Sequence, residues 1–195
     1  LIIARPEPEN HILEIVSAFS SKPRGYKLVV LGNYRPKKFD YHRQVVEAAS
    51  NEVAFLGGIY DRACVAALRY YARLYIHGHA VGGTNPSLVE ALAAGSAVLA
   101  HHNPFTHWVA GTGAHYFHTA ADCSEQFDQL LDDADELERM KQASLDRYWE
   151  EFSEQRDMKA YEALLAQYAA KLPAAKKTAD KVRQVREVVQ PSLKK

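Results

Sequence analysis

The residues best placed to do chemistry lie in one stretch: His77-Gly-His-Ala-Val-Gly-Gly-Thr-Asn-Pro-Ser-Leu-Val-Glu-Ala-Leu-Ala-Ala-Gly95. A strand ends at His77, a glycine-rich loop turns, and a helix opens with Pro86 in its first turn, where the missing N–H costs nothing. Gly82 and Gly83 let backbone approach a ligand without Cβ obstruction. Thr84, Asn85 and Ser87 offer capping oxygens. First-turn N–H groups and the positive end of the helix dipole then face the loop and form an anion site, most naturally for phosphate. Glu90 sits one turn further in, too deep to cap and well placed to accept from the hydroxyls of a ribose. The same residues also make a good ordinary helix start, and local chemistry alone does not choose between the two. The loop is neither a Walker A sequence nor a GxGxxG fingerprint.

The elements that must position this stretch alternate along the chain. Leu1-Ile-Ile-Ala4 reads as a strand, and Ile12, Val16 and Phe19 recur at helical spacing. Lys27 to Leu31 is a β-branched run ending at Gly32, a polar helix spans roughly Tyr41 to Ser50, and Val53 to Leu56 stops at Gly57-Gly58. Asp61 caps a helix through Val65, Leu68 and Tyr71. Leu74 to His77, Ala97 to Ala100 and His115 to His118 are further short strands. Short continuous apolar strands separated by helices predict an α/β, Rossmann-like, doubly wound parallel sheet. After Asp122 only helical stripes remain, and from about Lys171 the chain becomes rich in Lys and Ala. The expected organisation is one domain over residues 1–170 and a charged tail, or loose helix, over 171–195. A strand opening at Leu1 leads us to expect a piece of a longer protein.

Composition narrows the function classes. The 195 residues carry 24 Lys+Arg against 24 Asp+Glu, so no basic excess supports a general nucleic-acid or membrane-surface binder. No apolar run approaches the ~20 residues of a membrane span. Two cysteines, Cys64 and Cys123, match no metal or redox spacing and fit a reducing cytoplasm. The nine histidines contain no HExxH motif and no cysteine partners, so no metal is expected; His79 is placed at the pocket instead. Asp133-Ala-Asp135 reads as a helix junction. Tyr70, Tyr71, Trp108 and Trp149 are expected to serve core and interdomain packing, and Arg69 and Arg73 to be solvated helix charges.

Asn85-Pro-Ser-Leu-Val-Glu-Ala-Leu-Ala-Ala-Gly-Ser-Ala-Val-Leu-Ala100 resembles the donor-domain signature of retaining GT-B glycosyltransferases of the GT4 type. With Ala4-Arg-Pro-Glu-Pro-Glu-Asn10 and His77-Gly-His-Ala-Val-Gly-Gly-Thr, it is similar to the bacterial rhamnosyltransferase-like branch. The resemblance runs from Leu1 to about Ala170, the span of a C-terminal Rossmann half. It implies that Arg5 neutralises the diphosphate of a nucleotide-sugar donor, and that Gly57, Gly58 and Ile59 read the nucleobase through backbone. It further implies that Glu90 binds the ribose, and that Gly82, Gly83, Thr84, Asn85, Pro86, Ser87 and Leu88 surround the diphosphate without a metal cofactor. Two departures stand out. The partner lysine of Arg5 is replaced by Glu7, Glu9 and Asn10, and the first of the family's two glutamates is Gly82. The implied function is donor binding, with dTDP-rhamnose a candidate donor. The implied setting is a cytoplasmic enzyme at the inner face of the membrane, whose acceptor and polysaccharide product belong to a separate N-terminal domain. A nucleotide-sugar epimerase of the same fold and a noncatalytic nucleotide-binding or partner domain stay open beside it.

Overall fold

The computed structural model describes residues 1–171; the rest of the expected 171–195 tail lies outside the described residues. Short apolar runs form six strands: β1 (Ile2–Ile3), β2 (Leu28–Leu31), β3 (Val53–Gly57), β4 (Tyr75–His77), β5 (Val98–His101) and β6 (His115–Phe117). They form two three-stranded sheets, β1-β2-β3 and β4-β5-β6, and every pairing is parallel. Ile2 stands opposite Val30, Tyr75 opposite Val98 and Leu99 opposite His115. The sheets meet where the Ile76 N–H donates to the Leu1 carbonyl at 2.9 Å, so the strand order reads β3-β2-β1-β4-β5-β6. Order reverses between β1 and β4, and in open α/β sheets ligands bind outside the carboxyl ends of strands at such a switch point.

Alternation along the strands sorts the core onto two faces. Ile2, Leu28, Val30, Ile76, Leu99 and Phe117 join Ile12, Ile15, Val16 and Phe19 of α1 (Ile12–Ser20), with Val45 of α2 (Asp40–Glu47). Cys123, Phe127 and Leu130 of α6 (Ala120–Leu130) complete that cluster. Tyr75, Val98 and Ala100 point the other way, onto Leu88, Ala91 and Leu92 of α4 (Pro86–Ala93) and Val109 and Ala110 of α5 (Pro104–Ala110). Neighbouring strand residues thus bury on opposite faces, as a sheet covered on both sides requires. The fold is the α/β, Rossmann-like architecture that the alternation of elements predicts.

Helix boundaries follow side-chain caps. Asp61 accepts the Cys64 N–H at 2.7 Å and opens α3 (Arg62–Tyr71). Thr119 and Asp122 form a capping box at α6. Asp133 accepts the Glu136 N–H at 2.9 Å and opens α7 (Ala134–Glu151), so Asp133-Ala-Asp135 is a helix start. Helix α5 is an element that the apolar periodicity does not announce. Asn103 accepts the Phe105 and Thr106 N–H groups at 3.0 Å each with Pro104 in the first turn, and a seven-residue helix results. Tyr70, Tyr71, Trp108 and Trp149, expected in packing roles, are exposed. Arg73 lies past the end of α3 and donates to the Leu131 carbonyl at 2.5 Å.

The chain divides into two compact units, Leu1–Phe152 and Ser153–Lys195. The second contains α8 (Glu154–Lys171), whose Met158, Tyr161, Leu164, Leu165 and Tyr168 are exposed. Among the described residues no helix is long and apolar enough to cross a membrane.

Candidate donor-binding cleft

Two loops leave the carboxyl ends of β1 and β4 and lock onto each other. After β1, the chain passes Arg5 and Pro6 into a tight turn at Pro8–Asn10, and buried Asn10 donates its side-chain amide to the Arg5 carbonyl at 2.8 Å. After β4, the Ala80 N–H reaches the Glu9 carbonyl at 2.9 Å, and His11 Nδ1 donates to the Gly78 carbonyl at 2.8 Å. Gly78 permits this approach, because a Cβ there would stand 2.1 Å from the Asn10 carbonyl oxygen. The placement of Arg5 and His79 follows from this clamp.

A third loop closes the far side. Gly57 turns the chain with φ +72° and its carbonyl accepts from the Gly32 N–H at 2.9 Å. Asn33, after β2, accepts the Gly58 N–H at 3.1 Å and donates to the Tyr60 hydroxyl at 3.0 Å. Together the three loops surround a cleft of about 980 Å³ at the switch point. Arg5, Ile59, His79, Pro86, Ser87 and Glu90 all line it, beside Gly58, Tyr60, Arg62 and Arg69. Gly57 is not part of its lining. Gly82, Gly83 and Thr84 are exposed and Asn85 half-buried, all outside the cleft wall, while the Leu88 side chain is fully buried in the core.

The start of α4 differs from expectation. Asn85 makes no side-chain cap: it sits at φ 49°, and its side-chain amide turns back toward the Gly83 carbonyl at 3.5 Å. Its backbone carbonyl instead accepts the Leu88 and Val89 N–H groups at 2.9 and 3.2 Å. A side-chain cap needs extended backbone at that position, and the left-handed conformation removes it. Nor does the Ser87 hydroxyl cap. It meets the Tyr75 hydroxyl at 2.8 Å and accepts from Arg69 at 3.2 Å.

Arg69 is the residue the sequence reading missed. Far from being solvated, its side chain is 8% exposed, and its guanidinium pairs with the Glu90 carboxylate at 2.5 Å. The available signal was spacing: Arg62, Val65 and Arg69 fall on one face of α3, and all three line the cleft. Arg5, Arg62 and Arg69 face the cleft against one carboxylate, Glu90, and the amino ends of α3 and α4 open at its wall. The field inside is positive and suited to an anion.

The histidines nearby are kept neutral. His77 is buried, stacks on His79 with ring centroids 4.3 Å apart, and leaves both ring nitrogens without a partner. Burial, with His79 beside it, lowers its pKa to about 3. His79 is lowered by burial first and by the Arg5 guanidinium second. Burial and the neighbouring His11, His118 and His102 bring His101 to about 4. Among the described residues no group of three or more His, Cys, Asp or Glu is arranged to hold a metal ion. A second cavity of about 400 Å³, bordered by Leu1, Phe19, Leu74 and Phe127, is apolar. Its cations Lys27 and Arg73 are bonded to the Asn51 and Leu131 carbonyls.

The family pattern described as "Glycosyl transferases group 1" matches residues 1–147. The chain belongs to this family. Solved structures agree on the fold of this group 1 glycosyltransferase domain. Sucrose-phosphate synthase from Thermosynechococcus elongatus superposes with a TM-score of 0.73 at 18% identity, covering 88% of this chain and 46% of that one. Anabaena HepE, crystallised in complex with UDP, gives 0.69 at 14% identity over 88% and 49%. The C-terminal domain of a glycosyl transferase group 1 family protein from Francisella tularensis gives 0.66 at 17% identity over 78% and 85%. The group 1 domain therefore spans about half the length of the first two and most of the third. No curated protein matches the sequence. The architecture is that of the C-terminal half of a GT-B glycosyltransferase.

Proposed function

We propose that this domain binds the nucleoside diphosphate sugar donor of a GT4-type glycosyltransferase, and that the acceptor is held by a separate N-terminal domain. One observation carries the reading. Arg5, Ile59, His79, Ser87 and Glu90, drawn from three loops and one helix start, meet in a single positive cleft at the switch point. HepE, of the same fold, has been crystallised with UDP and with UDP-glucose.

In this reading the base lies against Ile59 and Tyr60, since the Gly58 N–H is already engaged by Asn33. Glu90 accepts the ribose hydroxyls. Arg5 and the amino end of α4, with the Gly82 to Asn85 loop beside it, hold the diphosphate. Leu88 supports this from below, through the core. As the sugar departs, charge builds on the terminal phosphate, and preorganised cations and N–H dipoles stabilise it. Arg62 is the cation of the cleft available in place of the missing lysine. His79, held neutral, borders the sugar and can donate or accept a hydrogen bond without adding charge.

We take dTDP-rhamnose as the first donor candidate, a bacterial polysaccharide as the acceptor, retention as the stereochemical outcome, and the cytoplasmic face of the membrane as the workplace. The noncatalytic reading is favoured by Gly82, which places no carboxylate where the donor sugar would need one. Calorimetric titration with UDP, dTDP, GDP and ADP, beside NAD and inorganic phosphate, tests the proposal. Saturable binding of one nucleoside diphosphate is expected. Binding of none of them, or of NAD alone, overturns it.

A further inference from the structure

We infer that Arg69 is a positioning residue that fixes the Glu90 carboxylate, and through it the cleft's recognition of sugar hydroxyls on a nucleotide. The inference rests on the donor-cleft reading and adds a residue to it.

A glutamate on the first turns of a helix, 59% exposed, would ordinarily sample several rotamers. Glu90 is instead held at 2.5 Å by a guanidinium that is itself 8% exposed. The same terminal nitrogen of Arg69 donates to Ser87 Oγ at 3.2 Å, which meets the Tyr75 hydroxyl at 2.8 Å. The Arg69 backbone is fixed as well, because Ser96 Oγ donates to its carbonyl at 3.2 Å and Ser144 Oγ donates to the Ser96 carbonyl at 2.8 Å. One end of the ion pair is thus anchored in the core and the other stands in the cleft. Arg69 engages Oε2 of Glu90, and a carboxylate has a second oxygen with which to accept from a ligand. Burying a guanidinium is costly unless it is paired. Its Nε is also buried without a partner, so Arg69 is a poor choice for stability alone. Holding an acceptor still before the ligand arrives removes an ordering cost from binding.

The test is calorimetry on the full chain with paired probes: dTDP against its 3′-deoxy analogue, and UDP against 2′,3′-dideoxy-UDP. The wild type should prefer the hydroxylated member. Arg69→Met and Arg69→Lys should each lose most of that preference, with affinity for the hydroxylated probe falling by about tenfold. In a Glu90→Gln background, Arg69→Met should change nothing further. Retention of the wild-type ratio by folded Arg69→Lys, or an equal affinity loss with and without Glu90, overturns the role of Arg69 and leaves the donor cleft standing. A wild type that binds none of UDP, dTDP, GDP and ADP overturns the donor cleft itself, and this inference with it. The ratio of two ligands measured on one sample is independent of how much of a variant is folded.

Discussion

At the scale of single residues, the cleft is governed by how few charges it holds. Glu90 is its one carboxylate, so Glu90→Ala should weaken nucleoside diphosphate binding by roughly 1–3 kcal/mol, the worth of a charge-assisted hydrogen bond. The fold should remain but melt at a lower temperature, because the buried Arg69 guanidinium loses its partner, and calorimetry beside a thermal melt reads both. Beneath the cleft, His77 carries a different cost. Its pKa falls to about 3 in the fold, against an ordinary value near 6.5. A base whose pKa is depressed by folding contributes stability above the unfolded value and loses it as pH falls toward the folded one. Between pH 6.5 and about 3 the unfolded chain binds the proton and the native chain refuses it. At pH 5 this costs roughly 2 kcal/mol from His77 alone. His79 and His101 shift in the same direction. His77→Phe removes the titration and two unpartnered ring nitrogens. Urea midpoints at pH 7.5 and pH 5.0 should therefore lie closer together in the variant, whatever constant packing penalty the larger ring brings.

Among elements, the decisive contact is between the β1–α1 and β4–α4 loops. A Cβ at Gly78 would stand 2.1 Å from backbone oxygen, which cannot swing aside as a side chain can. Gly78→Ala should force the loops apart, destabilise the fold by roughly 1–3 kcal/mol, and reduce nucleotide affinity by moving Arg5 and His79. Denaturant titration and calorimetry check the two halves of that statement. The elements themselves were largely legible in the sequence. Period and punctuation announced six strands and most helices, because strands buried on both faces read as continuous apolar runs. Helix α5 was not legible as a helix. Its short Asn103-Pro104 start works through a cap that looks like any turn. Arg5, His79, Ser87 and Glu90 were reachable because motif and strand context coincide. Arg69 and Asn33 were not. Each acts through a partner distant in sequence, Glu90 and Tyr60, and no local pattern records a contact made in space. The side-chain cap expected at Asn85 failed for a related reason: its φ of 49° is set by the whole loop.

For the molecule as a whole, the cleft is a half-site in the proposed reading. The chain spans about half the length of HepE and sucrose-phosphate synthase. Supplied with a donor that it binds, it should therefore transfer little sugar to any acceptor. Vigorous transfer by residues 1–195 alone, followed by product chromatography, would refute the division of labour. The seam between the two half-sheets has a consequence of its own. Where β1 meets β4, the hydrogen bonds from the Ile76 N–H to the Leu1 carbonyl and from the Leu1 amino group to the Leu74 carbonyl continue the sheet, and the cleft opens beyond the carboxyl ends of these strands. Arg5 and Ile59 belong to one bank of that seam, while His79, Ser87 and Glu90 belong to the other. An occupant touching both banks acts as a rivet. Loading the cleft should slow deuterium uptake at Ile76 and its neighbours more than at β3 or β6, so whatever fills the cleft would also hold the two half-sheets together.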